Sequence, residues 1–208
     1  MNKFGLIVIG AHSGVWLTSL FEKYKEKNIL LVEPVPYNIQ LLRKNTSQYQ
    51  NIKIETSAIS GESVRSKKFY FVKFESLKDL GKHWASGIGS FDKQHILNHK
   101  NKRFKIENSD IQEIEIQYLT FKDLVVKYSI ISIDMLQIDV EGAEFEILNS
   151  IDLNKILIKK IIFEFKHFDG TFKEGSKLKL IKNKLTNFNY LTTEIDKENI
   201  LAEKINYL

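Results

Sequence analysis

The chain has 208 residues, of which 43% are hydrophobic and 27% are charged, a composition typical of one globular domain and not of a disordered segment. The absence of cysteine excludes disulfides, cysteine-ligated metal clusters and thiol catalysis. No apolar run reaches the roughly 20 residues of a transmembrane helix, and the first residues lack a signal-peptide cleavage pattern, so we expect a cytoplasmic protein.

The net charge of +5 is unevenly distributed along the chain. Residues 65–105 contain 11 basic and 3 acidic residues, whereas residues 106–150 contain 2 basic and 10 acidic residues. We expect these two blocks to face each other or to be solvated, because surface charge alone contributes little to specific binding. The pattern therefore predicts neither a nucleic-acid partner nor a membrane partner.

The first 58 residues alternate between strand and helix patterns. The opening apolar run ends at a glycine-containing turn and is typical of a strand buried on both faces of a parallel sheet. Trp16 falls on the apolar face of the helix pattern that follows. The order β-α-β-α-β predicts an open, doubly wound α/β fold with a mostly parallel sheet. The predicted elements are strands 4–9 and 29–32, a third strand that runs into a loop within 51–58, and helices 15–27 and 37–45.

The rest of the chain continues this pattern after one long polar segment, residues 77–105, which is functional or partly helical because ordinary loops are shorter. We find no linker, and we treat residues 1–208 as one domain in which 77–105 is an insertion. The last two predicted strands form a C-terminal antiparallel hairpin. The further predicted elements are strands 67–73, 113–119, 133–140, 160–166, 190–193 and 200–207 and helices 120–127, 141–148 and 173–185.

Two features at strand ends predict a ligand site, because ligands bind outside the carboxyl ends of the strands in open α/β sheets. Residues 10–14, Gly-Ala-His-Ser-Gly, form a small-residue turn before a helix N-terminus. Glu33 follows the second strand, where a carboxylate can accept both hydroxyls of a ribose. Leu17 stands where the dinucleotide fingerprint needs its third glycine. The pattern favours an adenosine-containing ligand without a pyrophosphate, such as S-adenosylmethionine.

Two segments resemble the hallmark segments of the FkbM-type methyltransferases. They are residues 33–38, Glu-Pro-Val-Pro-Tyr-Asn, and residues 136–148, Leu-Gln-Ile-Asp-Val-Glu-Gly-Ala-Glu-Phe-Glu-Ile-Leu. The resemblance extends over residues 7–167, most of the chain. It implies a class I methyltransferase (Rossmann-like) fold, S-adenosylmethionine as methyl donor and, usually, O-methylation of a sugar or polyketide-type hydroxyl.

The same resemblance assigns roles to individual positions. The glycine turn would lie beneath the methionine part of the donor, Glu33 would hold the ribose, and the residues after the third strand would border the adenine. Glu164 and His167 would face the acceptor. The donor-binding residues that the resemblance implies are Gly10, Ala11, His12, Gly14, Glu33, Pro34, Ser57, Ala58, Asp139 and Glu141.

The chain departs from the family pattern at two positions. Val8 stands where relatives carry an acidic residue, and His12 stands where they carry an asparagine. Because the acid helps to bind the charged amino acid end of the donor, Asp139 or Glu141 must compensate, or the donor binds poorly. The second outcome corresponds to an alternative function, that of a noncatalytic partner protein with a degenerate methyltransferase fold. A nucleotide-binding Rossmann enzyme is the other alternative.

Methyl transfer to a hydroxyl requires a group that removes one proton. His167 is the first candidate for this base, because an imidazole titrates near neutral pH, and Asp139 or Glu164 is the second. We assign no metal ligands, although Asp139, Glu164 and His167 form an alternative divalent-cation site. We expect His95, in the inserted segment, at the surface.

The acceptor is expected to be a small molecule or a glycan. We place its recognition in residues 77–105, because a long polar excursion from a regular fold often carries function. The excess of basic residues in this segment favours an anionic acceptor, such as a phosphate-linked or acidic glycan. The candidate contacts are Lys93, Lys100, Lys102 and Arg103.

Overall fold

The computed structural model describes residues 1–80, 83–98, 106–169 and 174–205. Its strands are β1 (Asn2–Ile9), β2 (Asn28–Val32), β3 (Ile52–Glu55), β4 (Ala58–Ile59), β5 (Val64–Val72), β6 (Gly89–Ser90), β7 (Ile111–Leu119), β8 (Ile130–Ile138), β9 (Leu157–Glu164), β10 (Tyr190–Glu194) and β11 (Asn199–Lys204). Its α-helices are α1 (Thr18–Lys23), α2 (Pro36–Asn45), α3 (Ser76–Leu80), α4 (Lys93–Leu97), α5 (Phe121–Lys127), α6 (Glu144–Ser150) and α7 (Ser176–Asn187). Among these residues, no helix is long and apolar enough to cross a membrane.

The central sheet has seven strands in the order β10-β11-β9-β8-β1-β2-β3. Strands β9, β8, β1, β2 and β3 are parallel, and β11 pairs antiparallel with both β9 and β10. This architecture confirms the predicted α/β fold with a mostly parallel sheet and a C-terminal hairpin. Ile9 pairs with Val32 on one side and with Ile138 on the other, so the residues that follow these three strands meet at one edge.

The first strand is the centre of the core, as its continuous apolar run predicts. Leu6, Ile7 and Val8 are completely buried, and they pack alternately against the helices on the two faces of the sheet. Burial of one such side chain contributes roughly 1.5–3 kcal/mol to the free energy of unfolding. The apolar run therefore holds the glycine turn that follows it in a rigid position.

A second sheet, in the order β4-β7-β5-β6, lies beside the first. The predicted third strand within 51–58 does run into a loop after Glu55, but Ala58 then starts β4, which pairs with β7 and places Ala58 opposite Tyr118. The two sheets share that short segment of chain. Local alternation of apolar residues predicts a strand but not its partner, so this sheet was not predicted.

The inserted segment is partly helical in the residues that the structure describes. Helices α3 and α4 and a 3-10 helix (His83–Gly87) surround a small core of its own. The basic and acidic blocks do face each other, since β5 pairs antiparallel with β7 and Lys68 Nζ lies 2.8 Å from Glu113 Oε1. Part of the local basic excess is thus neutralised within the fold.

Several predicted boundaries are shifted by local backbone conformation. Helix α6 begins at Glu144 and not at residue 141, because Glu141 and Gly142 have φ values of 57° and 113°, outside the helical range. The predicted helix 15–27 is a 3-10 turn followed by the short helix α1. The last strand ends at Lys204, and the end of its predicted range lies outside the described residues.

Candidate functional site

A cleft of about 230 Å³ opens at the carboxyl ends of β1, β2 and β8. Its lower wall comes from these strand ends, and its upper wall comes from β5 and the inserted segment. The residues that line it are Ile9, Gly10, His12, Trp16, Val32, Glu33, Pro34, Val35, Ala58, Ile59, Phe69, Gly87, Gly89, Phe91, Asp139, Val140 and Glu141.

The glycine turn forms the floor of the cleft. Gly10 has a φ of 89°, and a Cβ at this position would overlap the backbone carbonyl oxygen of Asp139. The backbone N–H groups of Gly10 and Ala11 both donate to the Val32 carbonyl, at 3.0 and 2.9 Å. Gly14, with a φ of 75°, contacts the core at Leu42. Only glycine fits at residue 10, because a side chain there would overlap the backbone of Asp139.

Glu33 joins the ends of β1 and β2 from a buried position. Its Oε2 accepts a hydrogen bond from the His12 backbone N–H at 2.9 Å, and its Oε1 accepts one from the Val35 backbone N–H at 3.0 Å and one from Asn38 Nδ2 at 3.4 Å. Burial raises the pKa of the Glu33 carboxyl to about 7, and these hydrogen bonds oppose the rise. Oε2 therefore has a further lone pair, which can accept a hydrogen bond from a ligand hydroxyl.

The wall beyond Glu33 is apolar and suits a flat aromatic ring. Phe69 and Phe91 meet edge to face with ring centroids 5.6 Å apart, and Val35 lies against the same wall. Gly89 keeps this wall open, because a Cβ there would lie 2.7 Å from the Phe69 ring. This half of the cleft is therefore apolar and ends at the buried Glu33 carboxylate.

The opposite half of the cleft is acidic. Asp139 and Glu141 line it, and none of the described lining residues is a lysine or an arginine. Asp139 is accessible in the cleft, yet the surrounding protein and the neighbouring Glu141 carboxylate raise the pKa of its carboxyl to about 6. This half complements a cationic group and repels a pyrophosphate, so S-adenosylmethionine, with its sulfonium and ammonium groups, fits better than a dinucleotide.

Two buried carboxyls lie beneath Asp139, and one oxygen of each of the three lies within 4.8 Å of the others. Glu144 accepts hydrogen bonds from the backbone N–H groups of Val140 and Gly142. Glu164 accepts a hydrogen bond from Lys166 Nζ at 3.1 Å. Burial raises the pKa of Glu144 to about 7 and that of Glu164 to about 8, the latter with a contribution from the Asp139 charge. Glu144 therefore holds the loop between β8 and α6, whereas Glu164 pairs with a lysine that follows β9.

A second group of side chains surrounds the same loop from the side of the inserted segment. The rings of His95 and His167 meet edge to face at 5.3 Å between centroids. Glu141 Oε2 lies 3.6 Å from His167 Nε2. One ring nitrogen of each histidine and one oxygen of Glu141 lie within 4.8 Å of one another. Burial, followed by the neighbouring His167 ring, lowers the pKa of His95.

The structure brings most of the predicted site residues to this cleft. Glu33 and Asp139 face it at its two ends, whereas Ala11, Gly14 and Ser57 lie behind its walls. Glu164 and His167 stand behind Asp139 and Glu141 and do not line the cleft. The predicted residues that line it are Gly10, His12, Glu33, Pro34, Ala58, Asp139 and Glu141.

Three expectations about single residues are corrected or resolved by the packing. His95 is half-buried against His167 and is not a surface residue. Trp16 is 79% exposed at the cleft, because the chain there is a 3-10 turn that aims it away from the core. Val8 is buried among core residues that include Leu31, so Asp139 and Glu141 are the acids that the cleft offers in its place.

The sequence alone did not predict the contacts that attach the inserted segment to the site. His12 Nε2 lies 2.7 Å from Ser86 Oγ, and the Ser86 carbonyl accepts a hydrogen bond from Asn38 Nδ2 at 2.9 Å. These bonds attach the inserted segment to the floor and to α2. The small-residue run around Ser86 was the sequence signal for this attachment. Of the candidate acceptor contacts, Lys93 is described and Lys100, Lys102 and Arg103 lie outside the described residues.

No curated protein matches the chain significantly in sequence. Solved structures similar to it include a methyltransferase from Geobacter sulfurreducens (10% identity, TM-score 0.48, 99% of this chain and 71% of that chain). Another is M. capricolum TrmK in complex with S-adenosylhomocysteine (15% identity, TM-score 0.45, 99% of this chain and 64% of that chain). Such low identities and scores carry no information on substrate.

The sequence match is more informative than the structural ones. The model of the methyltransferase FkbM domain matches residues 9–197, from the end of β1 to the turn before β11, and so includes both hallmark segments and every predicted site residue. The chain therefore belongs to the FkbM family and is an S-adenosylmethionine-dependent methyltransferase.

Proposed function

We propose that the chain methylates a hydroxyl oxygen of a sugar, a glycan or a related small molecule. The observation that supports this proposal most is the division of one cleft into two halves. The apolar half ends at the buried Glu33 carboxylate, and the acidic half ends at the accessible Asp139 carboxylate. A nucleoside with a cationic end fits that division, and a carboxylate beside the cationic end can serve as a base.

The residues that hold the donor divide its binding between shape and charge. Glu33 accepts a hydrogen bond from a ribose hydroxyl through Oε2, and the wall that contains Phe69 and Phe91 contacts the adenine. The floor at Gly10 allows a close approach of the methionine part, and Asp139 and Glu141 face the cationic groups. S-adenosylmethionine supplies a methyl carbon on a positively charged sulfur, and the sulfur keeps the electron pair of the broken bond as a neutral thioether.

Asp139 is the group we assign to remove the proton of the acceptor hydroxyl. It lines the cleft, whereas His167 lies behind it with its Nε2 atom buried. As Asp139 takes the proton, the acceptor oxygen forms its bond to the methyl carbon, and charge is conserved. In-line alignment of the oxygen and the carbon supplies the rest of the rate enhancement.

The inserted segment is our candidate for acceptor recognition. It forms the upper wall through Gly87, Gly89 and Phe91, and Lys93 follows this wall at the start of α4. Its basic residues favour an anionic acceptor, such as a phosphate-linked or acidic glycan. A cleft of this size takes a small molecule or the end of a glycan more readily than a nucleic acid or a membrane surface.

One observation favours a second function, that of a partner protein without activity. Val8, at the position of the family's acid, is buried in the core, so the donor loses one of its usual contacts. Calorimetric titration with S-adenosylmethionine separates the two functions. We expect saturable binding at a single site, and no heat at millimolar donor would establish the inactive partner.

The nature of the methylated atom is tested with a matched pair of acceptors. Tritium-labelled donor is incubated with a hexose, the corresponding amino sugar and a phosphorylated form of each. We expect transfer to the hexose hydroxyl, with a preference for the phosphorylated form. Transfer only to the amino sugar, at nitrogen, would overturn the assignment to oxygen, and equal rates for neutral and phosphorylated forms would overturn the anionic acceptor.

A further inference from the structure

His95, Glu141 and His167 converge from three separate parts of the fold. His95 is on α4 of the inserted segment, Glu141 follows β8, and His167 follows β9. One ligand atom of each lies within 4.8 Å of the others. Tetrahedral ligands at 2.0–2.1 Å from a zinc ion are separated by about 3.4 Å, and the distance from His167 Nε2 to Glu141 Oε2 is already 3.6 Å.

We propose that these three side chains bind one divalent transition-metal cation at the acceptor end of the cleft. Two imidazoles and one carboxylate form a ligand set that suits Zn²⁺, Mn²⁺ or Fe²⁺ better than Mg²⁺ or Ca²⁺, which prefer oxygen ligands. The His167 Nε2 atom is buried and has no hydrogen-bond partner in the part of the chain that the structure describes. A cation would satisfy this nitrogen.

The neighbouring cluster of three carboxyl side chains, from Asp139, Glu144 and Glu164, is less suitable as a cation site. Glu144 is occupied by two backbone N–H groups, and Glu164 is paired with Lys166. Hydrogen bonds and an ion pair within the protein therefore already occupy the Glu144 and Glu164 carboxylates. The structure thus groups His167 with His95 and Glu141, and not with Asp139 and Glu164.

The position of the site gives the cation two roles. It joins α4 of the inserted segment to the two loops of the central sheet, and the backbone of Gly142 lies directly below the His95 ring. Three protein ligands leave a coordination position open, as in catalytic zinc sites. Since Glu141 lines the cleft, a cation on this carboxylate would lie beside an acceptor bound there. Activation of an acceptor hydroxyl there rests on the proposed methyl transfer, whereas cation binding does not.

The test uses the full chain without an affinity tag, treated with a chelator, desalted and titrated calorimetrically with Zn²⁺. We expect one Zn²⁺ per chain and a loss of affinity of at least about 100-fold in His95→Ala, His167→Ala and Glu141→Gln, because even changes to outer-shell groups cost 10–100-fold. Two controls, His12→Asn and Glu146→Gln, remove another cleft histidine and an exposed glutamate nearby. Both controls should bind Zn²⁺ like the unaltered chain.

No stoichiometric binding, or equal weakening by the controls, would overturn the proposal. Binding that survives His95→Ala but is lost in Glu164→Gln would assign the cation to the cluster of Asp139, Glu144 and Glu164 instead. A second measurement needs no variant: bound Zn²⁺ should shift the imidazole NMR signals of His95 and His167 in the unaltered chain, and unchanged signals would contradict the site. Titration of the same samples with S-adenosylmethionine tests the proposed function separately.

Discussion

The Glu33 carboxylate accepts a hydrogen bond from the backbone N–H of His12 at 2.9 Å, and this contact fixes the glycine turn after β1 against the end of β2. A donor that binds to Glu33 therefore meets a floor whose position is already set. The burial of Glu33 costs free energy, as its raised pKa indicates. The hydrogen bonds from His12, Val35 and Asn38 offset part of that cost.

Glu33→Gln should weaken S-adenosylmethionine binding by about tenfold or more. A neutral amide accepts weaker hydrogen bonds than a carboxylate, and one of its two polar atoms can only donate. Calorimetric dissociation constants measure the effect. The matched control is Glu55→Gln, at the end of β3, where the carboxylate pairs with Lys127 away from the cleft. Equal affinities for Glu33→Gln and the unaltered chain would remove Glu33 from the donor site.

The stability of the unliganded chain should depend on pH through the same carboxyl. The pKa of Glu33 is about 7 in the folded chain and 4.5 in the reference state, so between these values the folded state holds a proton that the unfolded state has lost. The free energy of unfolding then falls as pH rises from about 4.5 to 7, by at most about 1.4 kcal/mol per pH unit. When the free energy of unfolding, measured by urea denaturation, is plotted against pH over this range, the slope should be shallower for Glu33→Gln than for the unaltered chain. Parallel plots would contradict the assignment.

Gly10→Ala should reduce the free energy of unfolding by about 2 kcal/mol or more. The position has a φ of 89°, which costs a residue with a Cβ roughly 1–2 kcal/mol, and the new methyl group would overlap the Asp139 carbonyl oxygen. Gly87→Ala is the control, since its Cβ would meet only His12 Cδ2, at 3.9 Å. Similar urea midpoints for the two variants would show that the floor is not as tightly packed as described.

The residues that could be predicted from the sequence are those whose role follows from their position in a strand or a turn. Residues 4–9 form a continuous apolar run, which predicts a central parallel strand. Glu33 directly follows another such strand, and parallel strand ends share one edge. The glycine turn and Asp139 follow by the same reasoning, and the family motif around residue 139 made the assignment specific.

The features that were missed depend on contacts between distant parts of the chain. The pattern of residues 113–119 predicts a strand, but its pairing with residues 64–72 is not encoded locally. His95 is on a helix of five residues, and its contact with His167 depends on how the inserted segment packs on the central sheet. Trp16 is exposed because Gly14 adopts a left-handed conformation and the next three residues form a 3-10 turn, so the predicted helix does not start at residue 15.

Donor binding should change the fluorescence of Trp16. This side chain is 79% exposed and lines the cleft, so a bound nucleoside alters the environment of the indole. The chain contains two tryptophans, and Trp16→Phe identifies the source of the signal. We expect a saturable change in the unaltered chain with the same midpoint as calorimetry, and the loss of most of it in the variant. An equal change in both proteins would place the donor away from Trp16.

Asp139→Asn should lower kcat by about 100-fold or more, the usual contribution of a general base. The amide has no basic lone pair for the acceptor proton, although it still occupies the same space beside the glycine floor. Steady-state rates at saturating donor measure the effect. Asp134→Asn, on the same strand, removes a carboxylate that pairs with Lys27 and Lys159 outside the cleft, and it should retain full activity. If Asp139→Asn also retained full activity while His167→Ala in zinc-free protein lost it, the base would be His167 and Asp139 would serve only the cationic end of the donor.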